Sequence, residues 1–350
     1  VLSFVKDSKL VFVSPDSIRP LSQRVRYNSE LQSLDSTVHD YYGMGKGQIE
    51  SLNGRKLHNL GFMGQGMTIA VLDAGFMNVD KIAAFRNLNI KGTHNFVAGY
   101  DNDVYKEMDH GTKTLSTIAM NQPTVFVGTA PKADFWLLRT EDYSTESPAE
   151  EDFWIAAVEF SDSVGVDIIS SSLGYHGFDD ISMNYRYSDL NGRTAAISQA
   201  ASRLASKGMI LVNSAGNDGM GTWKKINVPA DAHDILTVGA VSLDKVNAPF
   251  SSIGPTADGR IKPDVMAYGC PTNVVSGRGY IIPDNGTSFA CPLIAGMVAC
   301  LWQACPNKSA KEILDIIRQS GNNCQSPDNI MGYGIPDFWS AYQSATRYNQ

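Results

Sequence analysis

The sequence predicts an α/β fold: a doubly wound, mostly parallel sheet flanked by helices in three layers. Strand-like and helix-like segments alternate over residues 133–241, as they do in successive β-α-β units. Several strand-like segments are continuous apolar runs, which suits strands that are covered on both faces. Polar or glycine-containing turns follow these runs, at the edge where open α/β sheets place their functional residues.

The hydrophobic pattern assigns the individual elements. Strands are predicted at 67–72, 133–139, 166–171, 209–212 and 234–241. Helices are predicted at 49–60, 113–120, 149–163 and 194–207, and a buried apolar helix is predicted at 293–302. Residues 175–192 do not fit the alternation and are predicted to form an ordered surface insertion beside a strand end.

The first 47 residues differ from the rest of the chain. They contain one short strand-like run at 10–13 and then a polar, weakly periodic stretch. We interpret residues 1–47 as an N-terminal extension, either a pro-segment remnant or a linker, and residues 48–350 as the main domain. Residues 1–15 are interpreted as an ordered extension and not as an inhibitory segment, because about fifteen residues are too few to form an independent domain.

Composition excludes several classes of protein. The net charge of −7 and the absence of a Lys/Arg run argue against a nucleic-acid surface. No apolar run appears long enough to span a bilayer, so no membrane insertion is predicted. The five cysteines include no C-x-x-C pair, which argues against a zinc or redox motif, although Cys305 and Cys324 flank a short helix and are candidates for a disulfide. The chain has no initiator Met or signal peptide, as expected for a processed or trimmed chain.

The stretch around Ser288 is the first candidate for chemistry. Ser288 precedes the apolar run 293–302, which places it near the first turn of a helix, where backbone amides lack intrahelical partners. Such amides can stabilise a developing negative charge. Pro292 deprives the Ser288 carbonyl of its usual helical donor. The alternative is that Thr287 or Ser288 simply caps a core helix.

Three further polar residues stand at predicted strand ends or helix starts. Asp73 follows the strand 67–72, His110 opens the helix near 113–120, and Asn217 follows the strand 209–212. Each has an ordinary structural explanation by itself. Together with Ser288 they supply what acyl transfer needs: a hydroxyl nucleophile, a base near neutral pH, an orienting carboxylate and an amide donor for the oxyanion.

The order Asp73, His110, Ser288 is that of subtilisin, and no G-x-S-x-G motif is present, which disfavours an α/β-hydrolase esterase. Over residues 48–345 the chain resembles the subtilisin-like serine peptidases (S8 family, subtilases), and in particular secreted members of Bacteroidetes type. The matching segments are IAVLDAG at 69–75, DHGT at 109–112, GTAP at 128–131, SLG at 172–174, SAGN at 214–217, KPDV at 262–265 and GTSFACP at 286–292.

The resemblance implies a role for each matching residue. Ser288 would be the nucleophile, His110 the general base and then acid, Asp73 the orienting carboxylate and Asn217 the oxyanion donor. The segment formed by Ser172, Leu173 and Gly174 would pair with the backbone of an extended substrate. Ala215 and Gly216 would form the opposite wall of the pocket for the P1 side chain. The implied partners are protein or peptide substrates, with the chain's own pro-segment as a further candidate, and the implied location is secreted or at the cell surface.

Four departures from the family pattern qualify the resemblance. Ala74 stands where the family usually has a hydroxyl residue, which predicts weaker support for Asp73. Lys113 replaces a common second histidine, and Phe289 replaces an oxidisable methionine. The acidic loop of a calcium site is not recognisable after Asp73, so no metal or other cofactor is predicted. The acidic run 101–103 is interpreted as a solvated turn rather than a cation site.

Two questions remain open from the sequence. Ala74 and Lys113 leave room for a catalytically silent peptide-binding module that keeps the fold. The acids Asp179, Asp180 and Asp189 of the insertion, together with Glu141 and Asp142, either select basic substrate residues or are ordinary surface charges; the second interpretation is favoured.

Overall fold

The structure, a computed structural model, describes residues 40–346. Its strands are β1 (Thr68–Asp73), β2 (Asn89–Asn95), β3 (Asn121–Gln122), β4 (Phe126–Val127), β5 (Asp134–Arg139), β6 (Ile168–Ser171), β7 (Ile210–Ser214), β8 (Leu236–Ser242), β9 (Val265–Cys270), β10 (Thr272–Val275) and β11 (Ile281–Asp284). Its α-helices are α1 (Lys46–Ser51), α2 (Arg55–Asn59), α3 (His110–Ala119), α4 (Ala149–Ser163), α5 (Ala196–Ala201), α6 (Thr287–Ala304), α7 (Ala310–Gln319) and α8 (Phe338–Thr346).

Seven strands form one sheet in the order β2-β5-β1-β6-β7-β8-β9, and every neighbouring pair is parallel. Antiparallel pairs β3-β4 and β10-β11 lie outside this sheet. The doubly wound, mostly parallel sheet predicted from the sequence is therefore confirmed. Because parallel strands end at the same edge, the residues that follow β1, β6 and β7 come together there.

Both faces of the sheet are covered, as the continuous apolar strands indicate. In β1, Ile69 and Val71 belong to the core on one face, whereas Ala70 and Leu72 belong to the core on the other. Helices α3 and α6 pack on the first face, and α4 and α5 pack on the second. This arrangement gives the three layers and holds the end of β1 rigidly from both sides.

Helix α6 is the central helix of the first face. Among residues 40–346, it alone is long and apolar enough to cross a bilayer, and 94% of it is buried inside the protein. It begins six residues before the predicted apolar run, at Thr287, and contains Pro292. Ser288 therefore lies in its first turn, as predicted.

The helix predicted at 49–60 is instead two short helices, α1 and α2. Between them Asn53 adopts a left-handed conformation with φ 52°, and its amide donates to Asp337. A Cβ at Gly54 would lie 2.5 Å from the sulfur of Met297. The close approach of α6 and the turn at Asn53 thus override a periodicity that is compatible with one helix.

The helix predicted at 194–207 is also shorter than expected. Helix α5 ends at Ala201, and a 3₁₀ turn follows at Ala205–Lys207. The Ser202 hydroxyl donates to the Ser198 carbonyl at 2.7 Å and accepts from the His233 amide at 2.9 Å. Local serine hydrogen bonding of this kind competes with a regular helix. The helix predicted at 149–163 matches α4, and most other boundaries move by one to three residues.

Residues 40–47, the described part of the N-terminal extension, pack onto the main domain. Tyr42 is fully buried in the core, and its hydroxyl lies 3.1 Å from Nδ1 of His58. The packed domain thus includes residues on the N-terminal side of the boundary predicted at 47, because Tyr42 fills space between the domain's own elements. The strand-like run at 10–13 and the rest of the extension lie outside the described residues.

The insertion predicted at 175–192 contains two 3₁₀ turns, Ile181–Met183 and Tyr187–Asp189. Tyr175 anchors it through paired backbone hydrogen bonds with Val228.

All five cysteines are free thiols, so Cys305 and Cys324 do not form the disulfide considered from the sequence. Cys305 is buried, and burial raises the pKa of its thiol to about 11.

Candidate active site

Asp73 and His110 meet at the carboxyl edge of the sheet. Asp73 ends the central strand β1 and is fully buried, and His110 is the first residue of α3. Nδ1 of His110 lies 2.7 Å from Oδ1 of Asp73. This contact places a proton on Nδ1 and leaves Nε2 as the base. Two residues that are far apart in sequence thus form the carboxylate–imidazole pair that acyl transfer requires.

The Asp73 carboxylate is held by three hydrogen bonds. Besides His110, the backbone amide of Ala74 donates to Oδ1 at 2.8 Å, and the hydroxyl of Thr114 donates to Oδ2 at 3.0 Å. The weaker support expected from Ala74 is therefore not what the geometry gives. No sequence motif marks Thr114, although it stands four residues after His110 and so shares a face of α3 with it.

Opposing effects act on the His110 ring. Burial lowers its pKa, but the charge of Asp73 and its hydrogen bond outweigh burial, and the pKa of His110 is raised above its usual value. Lys113 lowers the same pKa, while Asp284 raises it. Nζ of Lys113 lies 3.4 Å from Asp109 and 3.1 Å from Asp284, so its charge is largely balanced. A lysine at this position therefore leaves the base intact.

Ser288 and Ser172 are joined by reciprocal contacts. The Ser172 hydroxyl donates to the Ser288 carbonyl at 2.8 Å, and the Ser288 hydroxyl lies 3.4 Å from the Ser172 carbonyl. The first contact satisfies the acceptor that Pro292 leaves without a helical donor. The proline thus has a structural consequence: it frees a carbonyl that joins the turn containing Ser288 to the residue after β6. The ring of Phe289 lies 5.7 Å from that of His110, centroid to centroid.

Asn217 is oriented by Thr287, the residue before Ser288. The backbone amide and the hydroxyl of Thr287 donate to Oδ1 of Asn217 at 2.9 and 3.0 Å. Because Oδ1 is occupied by these two donors, the Asn217 amide group must point its Nδ2 the other way. Asn217 also lines a cavity at this edge of the sheet, so this orientation offers a donor near the first turn of α6.

A cavity of about 620 Å³ opens at this edge of the sheet. Of the residues given catalytic or substrate-binding roles from the sequence, five line it: His110, Asn217, Ser172, Leu173 and Gly174. Asp73, Ser288, Ala215 and Gly216 are not among its lining residues. A cavity of this size, flanked by a base and an amide donor, suits an extended peptide segment.

Ala215 and Gly216 directly follow β7. Ala215 is fully buried because its backbone continues the pairing of β7 with β8 through Val238, which turns its side chain into the core. It therefore lies beneath a pocket wall and not on its surface. Gly216 has φ 106°, and a Cβ there would lie 2.9 Å from the Ser252 hydroxyl. Only glycine suits this position.

Asn227 is a polar residue of this region that the sequence did not reveal. A Cβ at Gly174 would lie 3.1 Å from its Cβ, and one at Gly216 would lie 3.0 Å from its Nδ2. Asn227 thus lies between the two segments predicted to form the P1 pocket. Its Nδ2 donates to Asp218 at 3.0 Å, and its buried Oδ1 has no partner among the described residues. No sequence signal separates it from other loop asparagines.

Acidic residues also line the cavity. They are Glu141, Asp142, Glu146, Glu150 and Asp179. The hydroxyl of the buried Tyr175 donates to Glu141, and both oxygens of Glu150 accept backbone amides. Burial raises the pKa of Glu141 well above its usual value, and the charge of Glu150 adds to the rise. Of the acids named from the sequence, Asp180 and Asp189 do not line this cavity; each caps a 3₁₀ turn.

The side chains of the turn at 101–103 contact neighbouring residues of the protein. Nζ of Lys106 lies 2.7 Å from Asp101 and 3.3 Å from Asp103, and Asn102 accepts the backbone amide of Asn95. Within residues 40–346, no group of three or more His, Cys, Asp or Glu side chains is arranged to hold a metal ion.

Comparisons with known proteins agree with this geometry. The model of the subtilase family, Peptidase_S8, matches residues 64–334. The chain is 28% identical to Subtilisin NAT of Bacillus subtilis subsp. natto over 283 residues, which cover 80% of this chain and 67% of that protein. It is 28% identical to Subtilisin Savinase of Lederbergia lenta over 280 residues, covering 79% and 91% of the two chains.

A solved structure is similar in fold. The crystal structure of MycP1 with the N-terminal propeptide removed superposes with a TM-score of 0.65 at 21% identity, covering 85% of this chain and 96% of that one. The family match extends over most of the chain and contains Asp73, His110, Asn217 and Ser288. The protein belongs to the subtilase family and is a serine endopeptidase.

Proposed function

We propose that the protein is a secreted serine endopeptidase that cleaves extended peptide segments through an acyl-enzyme formed on Ser288. The observation that carries the proposal is the 2.7 Å contact between fully buried Asp73 and His110, at the edge of a cavity that His110 lines. In this mechanism His110 is the general base and then acid, Asp73 orients its ring, and Asn217 donates to the oxyanion.

The first half of the reaction transfers one proton twice. The Ser288 hydroxyl leaves its 3.4 Å contact with the Ser172 carbonyl, gives its proton to Nε2 of His110 and attacks the substrate carbonyl. Negative charge then develops on the carbonyl oxygen, where Nδ2 of Asn217 and the first-turn amide of Ser288 donate to it. His110 next protonates the leaving amine, the C–N bond breaks, and the acyl-enzyme remains.

The second half repeats these steps with water. His110 takes a proton from water as the water attacks the acyl carbon, and it returns that proton to the Ser288 oxygen as the acid is released. Throughout, Asp73 keeps its charge and stabilises the imidazolium. The segment Ser172–Leu173–Gly174 would hold the substrate backbone by β-pairing, and Gly216 would border the P1 pocket opposite it.

Residues on the N-terminal side of the domain fit the proposal as an extension or pro-segment remnant. The solved relative MycP1 had its N-terminal propeptide removed, and the resemblance to secreted subtilases supports a secreted or cell-surface location. We propose the chain's own pro-segment as a partner besides protein and peptide substrates. Tyr42 and its neighbours belong with the main domain in this division, since they pack into its core.

Hydrolysis of casein tests the function against the alternative of a silent peptide-binding module. We expect the purified chain to cleave casein into acid-soluble fragments and to lose this activity after treatment with a fluorophosphonate, because an activated serine displaces fluoride from the reagent and becomes phosphonylated. Binding of peptides without any cleavage or labelling would favour the silent module.

We further expect a preference for basic residues on the acyl side of the scissile bond. Side chains of an extended peptide alternate, and the acidic residues line the same cavity as the segment 172–174, so a substrate paired with that segment would present some of its side chains to them. Glu141 and Glu146 are unpaired with any cation among the described residues, whereas Glu150 and Asp179 hold backbone amides. A basic side chain would relieve their mutual repulsion.

Paired peptides with arginine or its neutral analogue citrulline at each of P1 to P4 measure this preference. We expect kcat/KM to favour arginine about fivefold at one or more of these positions, the size of a moderately exposed ion pair. Glu146→Gln removes a carboxylate that lines the cavity, and should lower that ratio. Asp244→Asn, an equal charge change at an exposed turn, should preserve it. A ratio near one at all four positions would contradict the preference.

A further inference from the structure

The Asp73 carboxylate receives its hydroxyl hydrogen bond from a different residue than the sequence leads one to expect. The residue after Asp73 is Ala74, which has no hydroxyl, and only its backbone amide contacts the carboxylate. This leaves Oδ2 to be satisfied from elsewhere, because a buried carboxylate oxygen without a donor is costly. Asp73 is fully buried, so water does not serve this purpose from the open surface.

We propose that Thr114 is a positioning residue of the peptidase: its hydroxyl takes over, from a different element, the support of the Asp73 carboxylate that Ala74 cannot give. The inference rests on the proposed function of Asp73 and His110. It concerns a residue that touches neither substrate nor the reacting atoms and acts through Asp73.

The geometry of α3 explains how one helix can do this. His110 and Thr114 are four residues apart, so their side chains project from the same face, one turn apart. His110 reaches Oδ1 of Asp73 at 2.7 Å, and Thr114 reaches Oδ2 at 3.0 Å. Two side chains of the helix therefore form hydrogen bonds to the two oxygens of one carboxylate. A rotation of the carboxylate that relaxed one contact would strain the other.

The Thr114 hydroxyl has a competing acceptor. It lies 3.1 Å from the carbonyl of Gly111, its own helix neighbour, and 3.0 Å from Oδ2 of Asp73. A hydroxyl has one proton, and an ionised carboxylate is a stronger acceptor than a carbonyl. Thr114 is itself fully buried, so no solvent competes for that proton. The proton is thus directed to Asp73 as long as Asp73 is charged.

Thr114→Val tests the inference, because it removes the hydroxyl and keeps the shape. We expect kcat per active site, counted by fluorophosphonate titration, to fall about tenfold with KM nearly unchanged, the size of one lost hydrogen bond to a charged group. The acid limb of the pH profile of kcat/KM should also move to higher pH. Asp73 loses a donor and binds the imidazolium more strongly, which raises the pKa of His110 further and keeps it protonated to higher pH.

Two controls separate positioning from general stability. Thr117→Val makes the same change on the same helix, at a buried hydroxyl that donates to the Thr114 carbonyl, and should keep the wild-type kcat and pH profile. The double variant Ala74→Ser/Thr114→Val restores a hydroxyl beside Asp73 and should recover most of the lost kcat. If Thr114→Val does not fold, Thr114→Ala and Thr114→Ser provide the comparison, since both lack the methyl and differ only in the hydroxyl.

A readout independent of turnover keeps the two proposals distinguishable. The downfield proton resonance of His110 Nδ1–H reports its bond to Asp73, and its pH titration should shift in Thr114→Val but not in Thr117→Val. A shift in a protein that fails to hydrolyse casein would support the role of Thr114 and refute the proposed function. Wild-type titration and wild-type kcat in Thr114→Val, or no recovery in the double variant, would overturn the role of Thr114.

Discussion

Ser288→Ala is expected to lower kcat by about 10⁶-fold, the magnitude that follows removal of a nucleophile acting with its base. Without the hydroxyl oxygen no acyl-enzyme can form, although the cavity, His110 and Asn217 stay in place. Hydrolysis that persists should be only the slow reaction supported by the oxyanion donors and by substrate binding. The measurements are kcat on a fluorogenic peptide, which should fall to this residual rate, and labelling by a fluorophosphonate, which should disappear.

The loss in Ser288→Ala should be chemical and not structural. The hydroxyl contributes one long contact, 3.4 Å to the Ser172 carbonyl, whereas the contact that fixes the turn uses the backbone carbonyl of Ser288 and survives the substitution. The melting temperature should therefore stay close to that of the wild type. Ser161→Ala is a matched control, because this buried serine on α4 donates only to the Ala157 carbonyl. Labelling that persists in Ser288→Ala would refute the assignment of the nucleophile.

The sequence predicts the fold well wherever local pattern and packing agree. Apolar runs such as β1 are covered on both faces, and the helix predicted at 149–163 occurs with those bounds. Prediction fails where contacts between distant segments decide. Gly54 packs against Met297, and Ser202 bonds to His233, so two predicted helices are broken by partners that no local window contains.

The candidate site divides in the same way. Asp73, His110, Asn217 and Ser288 stand at element ends, where sequence order and residue type together mark them. Thr114 carries no such mark, because its hydroxyl matters only when α3 is packed against the end of β1. Asn227 likewise reaches the cavity region only through the fold, which places it beside Gly174 and Gly216.

Asn217→Ala is expected to lower kcat by about 10²- to 10³-fold while KM changes little. The reason is that its amide stabilises the transition state much more than the bound substrate. A neutral substrate carbonyl gains little from the Nδ2 donor, whereas the oxyanion of the tetrahedral intermediate gains a charge-assisted hydrogen bond. An interaction made only in the transition state lowers kcat and kcat/KM together when it is removed.

The fixed orientation of Asn217 makes this expectation specific. Thr287 donates to Oδ1 through both its amide and its hydroxyl, so the donor is held in place before substrate arrives. Asn217→Asp keeps an acceptor for Thr287 but replaces the donor with a negative charge, and it should reduce kcat more than Asn217→Ala does. Asn89→Ala, at an exposed edge-strand asparagine, controls for the loss of an amide elsewhere. A raised KM with unchanged kcat would instead make Asn217 a substrate-binding residue, because the amide would then contribute equally before and during the reaction.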